Sequence, residues 1–446
     1  MSYNIGLSGL YAANKALDVT GNNIANVATT GFKASRVEFA DQYAQSIRGT
    51  SGNTNVGSGV TVAAVAQQFT QGSLTTGTAN SLDLAIQGNG FFMLSNNGEK
   101  LYTRSGAFHT DKDGYVVNSA GNNLQGYNVD ANGNVVVGAL TNLRVDSSNQ
   151  APQTTTQITN KSNLNSTEAL PEIATFDPTV TKSYNTKYST PIYDTQGNAH
   201  TLDQYFVKTG TNTWDMYSLV DGRSINDPTT TPPVPDKNTL TFDSSGNLIT
   251  SGTGKPTDSA NLKLNTDGTF QLTGWKPGVQ QGTGTTATWV LNGADSNGTT
   301  GIKLDMIATS QTASKTGLIS QSQDGYATGQ ISNMSVDQTG NLFATYTNGQ
   351  SKVIGQVSLT NFANVQGLSP AGGTNWRETY ASGVPVSGAP QSGTLGYVQG
   401  QALEDSNVDL TSELVNLIKA QSNYQANAKT ISTESTVMQT TIQMVG

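Results

Sequence analysis

Residues 403–445 read LEDSNVDLTSELVNLIKAQSNYQANAKTISTESTVMQTTIQMV. Within them Leu403, Leu410, Leu417, Tyr424, Ile431, Met438 and Val445 fall seven residues apart, with Leu414, Ala428 and Ile442 on the adjoining positions four residues later. An apolar position about every 3.5 residues is the stripe of a coiled coil. The intervening sites Gln421 and Ser435 are polar, so the seam is imperfect and its partner need not be an identical strand. From Asp409 to Val445 there is neither Pro nor Gly, which lets one helix run for many turns.

The opposite end carries the same interval. Tyr3, Leu10, Leu17 and Ile24 lie seven apart with Leu7 beside them, but Gly6, Gly9 and Gly21 interrupt the pattern. Each such glycine weakens a helix by roughly 1 kcal/mol relative to Ala, so this helix is marginal alone and gains order on docking. The two termini are expected to pair with each other or with copies of themselves. An alternative is that both stripes face an intramolecular core. Their position at the extreme ends, where chains usually fray, favours assembly.

Between the ends, from about residue 70 to 400, the chain reads as strands and turns. Four segments share the pattern D-x-x-G-N, starting at Asp130, Asp194, Asp243 and Asp337. The Asp side chain opens such a turn and Gly supplies the positive φ, so each marks a hairpin. A calcium loop is disfavoured, since none of the four has a dense oxygen series closed by a distant Glu. Runs such as Val135-Val136-Val137, Tyr205-Phe206-Val207 and Trp289-Val290-Leu291 supply strand residues. Asn226–Asp236, with four prolines, reads as a surface loop, and 371–396 as a second irregular stretch. The fold class expected is multidomain: long α-helical coiled-coil termini plus all-β middle domains, the second inserted within the first.

Composition narrows the chemistry. Of 446 residues only 12% are charged, where about 25% is ordinary. Lys+Arg 23 against Asp+Glu 31 gives a net charge of -8, which excludes the clustered basic residues that nucleic acid requires and disfavours anionic membranes. No apolar run reaches the length of a transmembrane helix, so no membrane insertion is expected. The first residues have the wrong order for a cleavable signal peptide, and any export is expected by another route.

Zero cysteines remove disulfides, thiolate metal sites and Cys nucleophiles. His109 and His200 cannot form a His-rich metal centre and read as structural or surface residues. Gly282–Ala287 fits a loose dinucleotide fingerprint but leads into the strand-like Trp289-Val290-Leu291 rather than a helix, and Gly254-Lys255 is followed by Pro256 where a phosphate loop needs Ser or Thr. Carboxylate pairs such as Asp111 with Asp113 or Glu404 with Asp405 carry no catalytic signal without geometry. The four tryptophans, Trp214, Trp275, Trp289 and Trp376, are read as packing residues before sugar platforms. No catalytic, cofactor or metal site is expected, and the protein is read as a non-enzyme.

The most specific stretch is Asp18-Val19-Thr20-Gly21-Asn22-Asn23-Ile24-Ala25-Asn26, continuing to Thr30-Gly31-Phe32-Lys33. Asn-rich sites around one apolar residue suit a helix end, and Gly31 permits the turn that redirects the chain. This run closely resembles the signature of the bacterial flagellar rod and hook (axial) protein family. Ser406-Asn407-Val408-Asp409-Leu410, Glu413-Leu414-Val415 and Tyr424–Lys429 with Ile431 resemble that family's terminal helix, while Gly88–Phe92 and Thr103–Phe108 resemble the start of its first β domain. The long middle region and the Ser-Asn-Val-Asp-Leu start of the last helix favour the hook branch over the distal rod branch.

The resemblance implies a helical homopolymer whose terminal helices line a channel with β domains outside it, forming a flexible tubular joint that passes torque from rod to filament. It implies as partners the distal rod protein, the hook–filament junction protein, the hook cap and the flagellar type III export apparatus, and an extracellular place in the hook. The expected division is a terminal helical assembly domain (1–30 with 403–446), a linker region (31–75 with 395–402), an inner β domain (76–150 with 325–394) and an inserted outer β domain (151–324). The assembly interface is assigned to Tyr3, Leu7, Leu10, Leu17, Asn22, Asn23, Ile24, Asn26, Leu403, Leu410, Leu414, Leu417, Tyr424, Ala428, Ile431, Met438 and Ile442, with the turn at Gly31 and Phe32. A secreted β-rich adhesin or glycan-binding module is the alternative from another class; it shares the Thr, Asn and Gly content but predicts no heptads at both termini.

Overall fold

The computed structural model describes residues 2–42, 57–130, 133–282, 287–296 and 300–445. The described chain is mostly β-structure, with one α-helix near each end: α1 (Ser2–Ala25) and α2 (Leu410–Val445). It divides into two compact units, one of residues 1–147, 331–345 and 349–446, the other of residues 148–330 with 346–348.

In the first unit thirteen strands join through hydrogen bonds into one sheet. Its core has two clusters. Leu84, Ile86, Phe92, Leu94, Phe108 and Leu124 belong to one, and Phe91, Met93, Tyr102, Phe362 and Trp376 to the other. Successive residues Phe91 and Phe92 fall in different clusters because neighbouring side chains of a strand point to opposite faces. The strand Phe91–Asn96 is therefore buried on both sides for most of its length, and reads as a continuous apolar run.

The second unit has a four-stranded antiparallel sheet, Thr186–Tyr193, Ala199–Gly210, Thr213–Val220 and Asp236–Thr241, and a mixed six-stranded sheet built around Gln157–Asn165. Residues of both sheets meet in one core: Phe206, Trp214, Met216 and Leu240 from the first, Ile158, Phe270, Ile302 and Leu304 from the second. Strand 186–193 alternates buried and accessible residues, the period-2 signature of one face on the core.

The D-x-x-G-N segments at Asp194, Asp243 and Asp337 are turns; residues 131–132 of the segment at Asp130 lie outside the described residues. At Asp194 the carboxylate accepts from the backbone N–H of Gln196 and Asn198, both at 2.9 Å, and Gly197 has φ +83°. The same pattern recurs at Asp337, with Gly340 at φ +78°. Those two turns join consecutive strands; the turn at Asp243 closes a single bridge, Phe242 to Leu248, and on either side of residues 131–132 Val129 and Val135 form another single bridge. Val136 and Val137 consequently lie outside any strand and are exposed, contrary to the strand expected at 135–137. Trp289-Val290-Leu291 is a strand, which removes the helix a dinucleotide fingerprint needs; residues 283–286 of that motif lie outside the described residues.

Two further expectations need correction. The C-terminal helix starts at Leu410, not at Leu403. Leu403 sits in the strand Ala402–Glu404, paired with Thr75, and so is not a helical heptad residue. The break arises because Asp409 caps the helix, its Oδ1 accepting from the N–H of Thr411 at 2.9 Å and Ser412 at 3.3 Å. The segment 31–75, read as a linker, contains β1 (Ser35–Asp41) and β2 (Val60–Gln67), an antiparallel pair in which Val37 faces Val65.

Candidate assembly interface and the junction beneath it

The two terminal helices lie against each other within one chain. Gly6 approaches Ile431 so closely that a Cβ there would lie 3.0 Å from its Cγ1, and a Cβ on Gly9 would lie 2.5 Å from Asn427 Oδ1. Since the contact moves back along α2 as it moves forward along α1, the helices run antiparallel. The glycines that weaken α1 as an isolated helix are therefore what lets α2 come close. Ala12, Ala13 and Ala420 are the buried apolar side chains of this region, so the intrachain seam is made of small residues rather than of the leucine stripe.

Most of the stripe is left over. Leu7, Leu10, Leu17 and Ile24 are half-buried, and Tyr3 is exposed. On α2, Leu417, Ala428 and Ile431 are half-buried, while Leu410, Leu414, Tyr424, Met438 and Ile442 are exposed. Val415, Ile418, Val437 and Met444, which the heptad count omitted, are exposed as well. The geometry explains the last turns. With Gly6 opposite Ile431, α1 runs out near residue 435, whereas α2 continues to Val445. An apolar groove of about 880 Å³ opens between α1, α2 and β1, lined by Ile5, Gly9, Ala13, Val37, Phe39 and Ala420 among others.

The Asn-rich end of α1 does something other than form this surface. Asn23 is buried and clamps the start of β1: its Nδ2 donates to Ser35 O at 2.8 Å and its Oδ1 accepts from Ser35 N at 2.9 Å. Asn26 Nδ2 donates to Asn22 O at 2.9 Å, and Asn26 Oδ1 accepts from Thr29 Oγ1 at 3.1 Å, closing the helix end. Gly31, at φ +70°, turns the chain where a Cβ would lie 2.4 Å from Ser105 N, and its own N–H donates to Glu404 O at 2.7 Å. Phe32, next to it, is half-buried.

Below this turn lies a cluster that the sequence reading missed. Lys33 and Glu404 are fully buried, with Lys33 Nζ 2.5 Å from Glu404 Oε1 and donating also to Thr70 O at 2.7 Å. Arg104 Nη1 reaches Glu404 Oε2 at 3.1 Å, Arg104 Nη2 donates to Gly88 O at 2.6 Å, and Gly72 N donates to Glu404 Oε1 at 3.0 Å. Burial pushes the pKa of both cations down, and the Glu404 carboxylate opposes it. One carboxylate thus joins the arm that leaves α1, the strand end at Arg104 and the strand that leads to α2. Asn407 adds a second tie, accepting from Ala34 N at 2.7 Å and donating to Gln68 O at 2.7 Å. No local pattern singles these three out: Glu404 is followed by Asp405, Lys33 is three residues from Arg36 and Arg104 is four from Lys100.

Two terminal helices paired within one chain, a buried ionic junction at their base and β units in the chain between them define a class: a multidomain, mostly β subunit whose two chain ends come together. Comparison with known proteins specifies it. Residues 4–33 match the family described as flagella basal body rod protein, 85–163 the flagellar hook protein FlgE/F/G D1 domain, 163–326 the flagellar basal body protein FlaE D2 domain, and 399–444 the flagellar basal body rod FlgEFG protein C-terminal. The flagellar hook proteins FlgE of Salmonella typhimurium and Escherichia coli are 37% and 36% identical to this chain, each over 100% of both sequences. That of Borreliella burgdorferi is 33% identical over 98% of both. The chain belongs to the flagellar hook protein FlgE family. It is accordingly a structural component of the bacterial flagellar hook and not an enzyme.

Proposed function

We propose that copies of this chain assemble into a helical tube through the faces of α1 and α2 that a single chain leaves uncovered, and that this tube is the flexible joint between rod and filament. The observation that carries the reading is the apolar surplus on α2: Leu410, Leu414, Val415, Ile418, Met438 and Ile442 are exposed in one chain. Fully burying a Leu or Ile contributes roughly 1.5–3 kcal/mol, so a few such residues docked on neighbouring copies offset the cost of ordering the ends. The interface residues assigned from the heptads at 410 and beyond, together with Tyr3, Leu7, Leu10, Leu17 and Ile24, are read as this copy-to-copy seam; Asn22, Asn23 and Asn26 instead shape the helix end that presents it.

The terminal helices act as a coiled-coil layer around a channel, with residues 1–30 and 403–446 as the assembly domain and the second β unit as an insertion in the first. Apart from the three residues 346–348, the second unit is one segment, 148–330, flanked on both sides by the first, which supports that nesting. With only 12% of residues charged, the outer faces are read as polar and weakly charged. Single hydrogen bonds there contribute only about 0.5–1.5 kcal/mol net and exchange readily with water, so neighbouring subunits slide as the tube bends and rotates. The finer partners follow from this role: the distal rod protein at one end, the junction protein and the hook cap at the other, and the export apparatus, which passes the chain unfolded.

Electron microscopy of the purified protein at high concentration tests the reading. Curved or flexible helical tubes are expected. Straight rigid rods would favour a distal rod role, and persistent monomers that bind glycans would contradict the proposal.

A further inference from the structure

The second unit contains a buried histidine placed between two carboxylates. His200 lies near the start of the strand Ala199–Gly210, with its side chain 5% exposed. Its Nδ1 is 2.7 Å from Asp221 Oδ2 and its Nε2 is 3.3 Å from Asp194 Oδ2. Both carboxylates already act as acceptors toward the backbone and amides. Asp194 takes the N–H groups of Gln196 and Asn198 on Oδ1, and the Nδ2 groups of Asn198 at 2.9 Å and Asn292 at 2.8 Å on Oδ2. Asp221 Oδ1 takes Thr201 N at 2.7 Å. The Trp275 ring meets the imidazole edge-on at 5.2 Å.

A neutral imidazole has one N–H and one lone pair. Here a lone pair on either nitrogen would face a carboxylate oxygen at short range, inside the protein. The imidazolium, with a proton on each nitrogen, satisfies both partners. A metal reading fares worse, because the donors around Asp194 already occupy both its oxygens.

We propose that His200 is a proton-dependent clasp of this unit: as imidazolium it joins the 194–198 turn, the turn at Asp221 and the segment at Asn292, and loss of its proton in alkaline surroundings loosens that end of the fold. The charged groups that face the ring are Asp221 and Asp194, and its other neighbours are Trp275 and the neutral amides. Burial alone would lower the pKa of His200; Asp221 and Asp194 outweigh it, and the ring titrates above its ordinary 6.5. A folded pKa raised above the unfolded one gives a contribution fully present below pH 6.5 and lost as pH rises through the folded value. The clasp lies within one unit and does not rest on polymerisation.

The chain has two histidines, so the full-length His109→Gln variant leaves His200 as the one imidazole, read by its ring carbon and nitrogen resonances against pH. A midpoint above 6.5 with both nitrogens protonated below it is expected; a midpoint at or below 6.5 would overturn the proposal. Hydrogen exchange over peptides 194–204 and 288–295 is expected to accelerate through the same pH window beyond its intrinsic rate, and His200→Gln is expected to abolish that step. Should His200→Gln fail to fold, Asp221→Asn in the His109→Gln background takes its place. It keeps a hydrogen-bonding group while removing one charge, and is expected to lower the midpoint; an unchanged midpoint would overturn the clasp.

Discussion

Replacing Glu404 with Gln is expected to open the junction between the chain ends and the first β unit. The native carboxylate serves Lys33 at 2.5 Å and Arg104 at 3.1 Å, and also takes the N–H of Gly72 at 3.0 Å. Gln offers one acceptor oxygen, and its amide nitrogen would meet a cation with hydrogen toward hydrogen, leaving two buried positive groups without an anion. Removing one partner of a buried ion pair costs about 3–5 kcal/mol, which corresponds to roughly 10²–10⁴-fold faster opening. Lys33→Met is the informative contrast. It leaves the Glu404–Arg104 pair and the Gly72 N–H in place, and the Thr70 carbonyl keeps Asn407 Nδ2 at 3.2 Å. The large cost of breaking a buried pair comes from the charge left without a partner, and here Glu404 keeps Arg104 at 3.1 Å, so a smaller effect, less than about tenfold, is expected. Hydrogen exchange by mass spectrometry over peptides 28–35, 70–77 and 400–408 reads both variants, with peptide 200–210 of the second unit as an unaffected control. Equal acceleration in the two variants, or less than tenfold for Glu404→Gln, would refute the claim that the shared carboxylate holds the junction.

Gly9→Leu is expected to push α2 away from α1, because even a Cβ there meets Asn427 Oδ1 at 2.5 Å; Gly21→Ala, with open space around it, is expected to raise helicity and stability by roughly 0.5–1 kcal/mol, both read by circular dichroism of dilute monomer. The Asp409 carboxylate is held below its ordinary 3.8, chiefly by the backbone N–H of Ser412, so its capping contribution is present above pH 3.8 and lost as pH falls through the lower folded value. Asp409→Asn keeps a capping oxygen and is expected to flatten that acid dependence, with exchange at Thr411 and Ser412 as the readout. Replacing 154–325 by a short Gly/Ser linker is expected to leave the first unit folded, since Gln150 N reaches Gly329 O at 2.8 Å and Gln153 N reaches Tyr326 O at 3.0 Å; loss of the slow-exchanging core around Phe92 and Leu94 would contradict it.

Much of the architecture was legible before any coordinates. Freedom from Pro and Gly after Asp409 marked α2, and the D-x-x-G-N pattern marked turns because Asp and Gly act there through local geometry alone. Leu403 misled because a seven-residue interval does not distinguish the last helical repeat from a strand residue that happens to precede it; the cap at Asp409 was the better boundary signal. The glycines of α1 were read by propensity, which describes an isolated helix, whereas their role is steric and depends on Ile431 and Asn427, about 420 residues away in sequence. The Lys33–Arg104–Glu404 cluster was equally hidden. Its members are brought together by strand pairing between distant segments, which no local pattern encodes.

The central claim is that the apolar face α2 leaves exposed is the seam between copies. Ile442, 66% exposed and beyond the reach of α1, tests it most directly, with Val137, 76% exposed on the β unit, as a control of similar exposure. Sedimentation and electron microscopy of Ile442→Asp and Val137→Asp at polymerising concentration are the measurement. The account predicts that Ile442→Asp stays monomeric with both β units folded, while Val137→Asp forms tubes. Normal tubes from Ile442→Asp would contradict it.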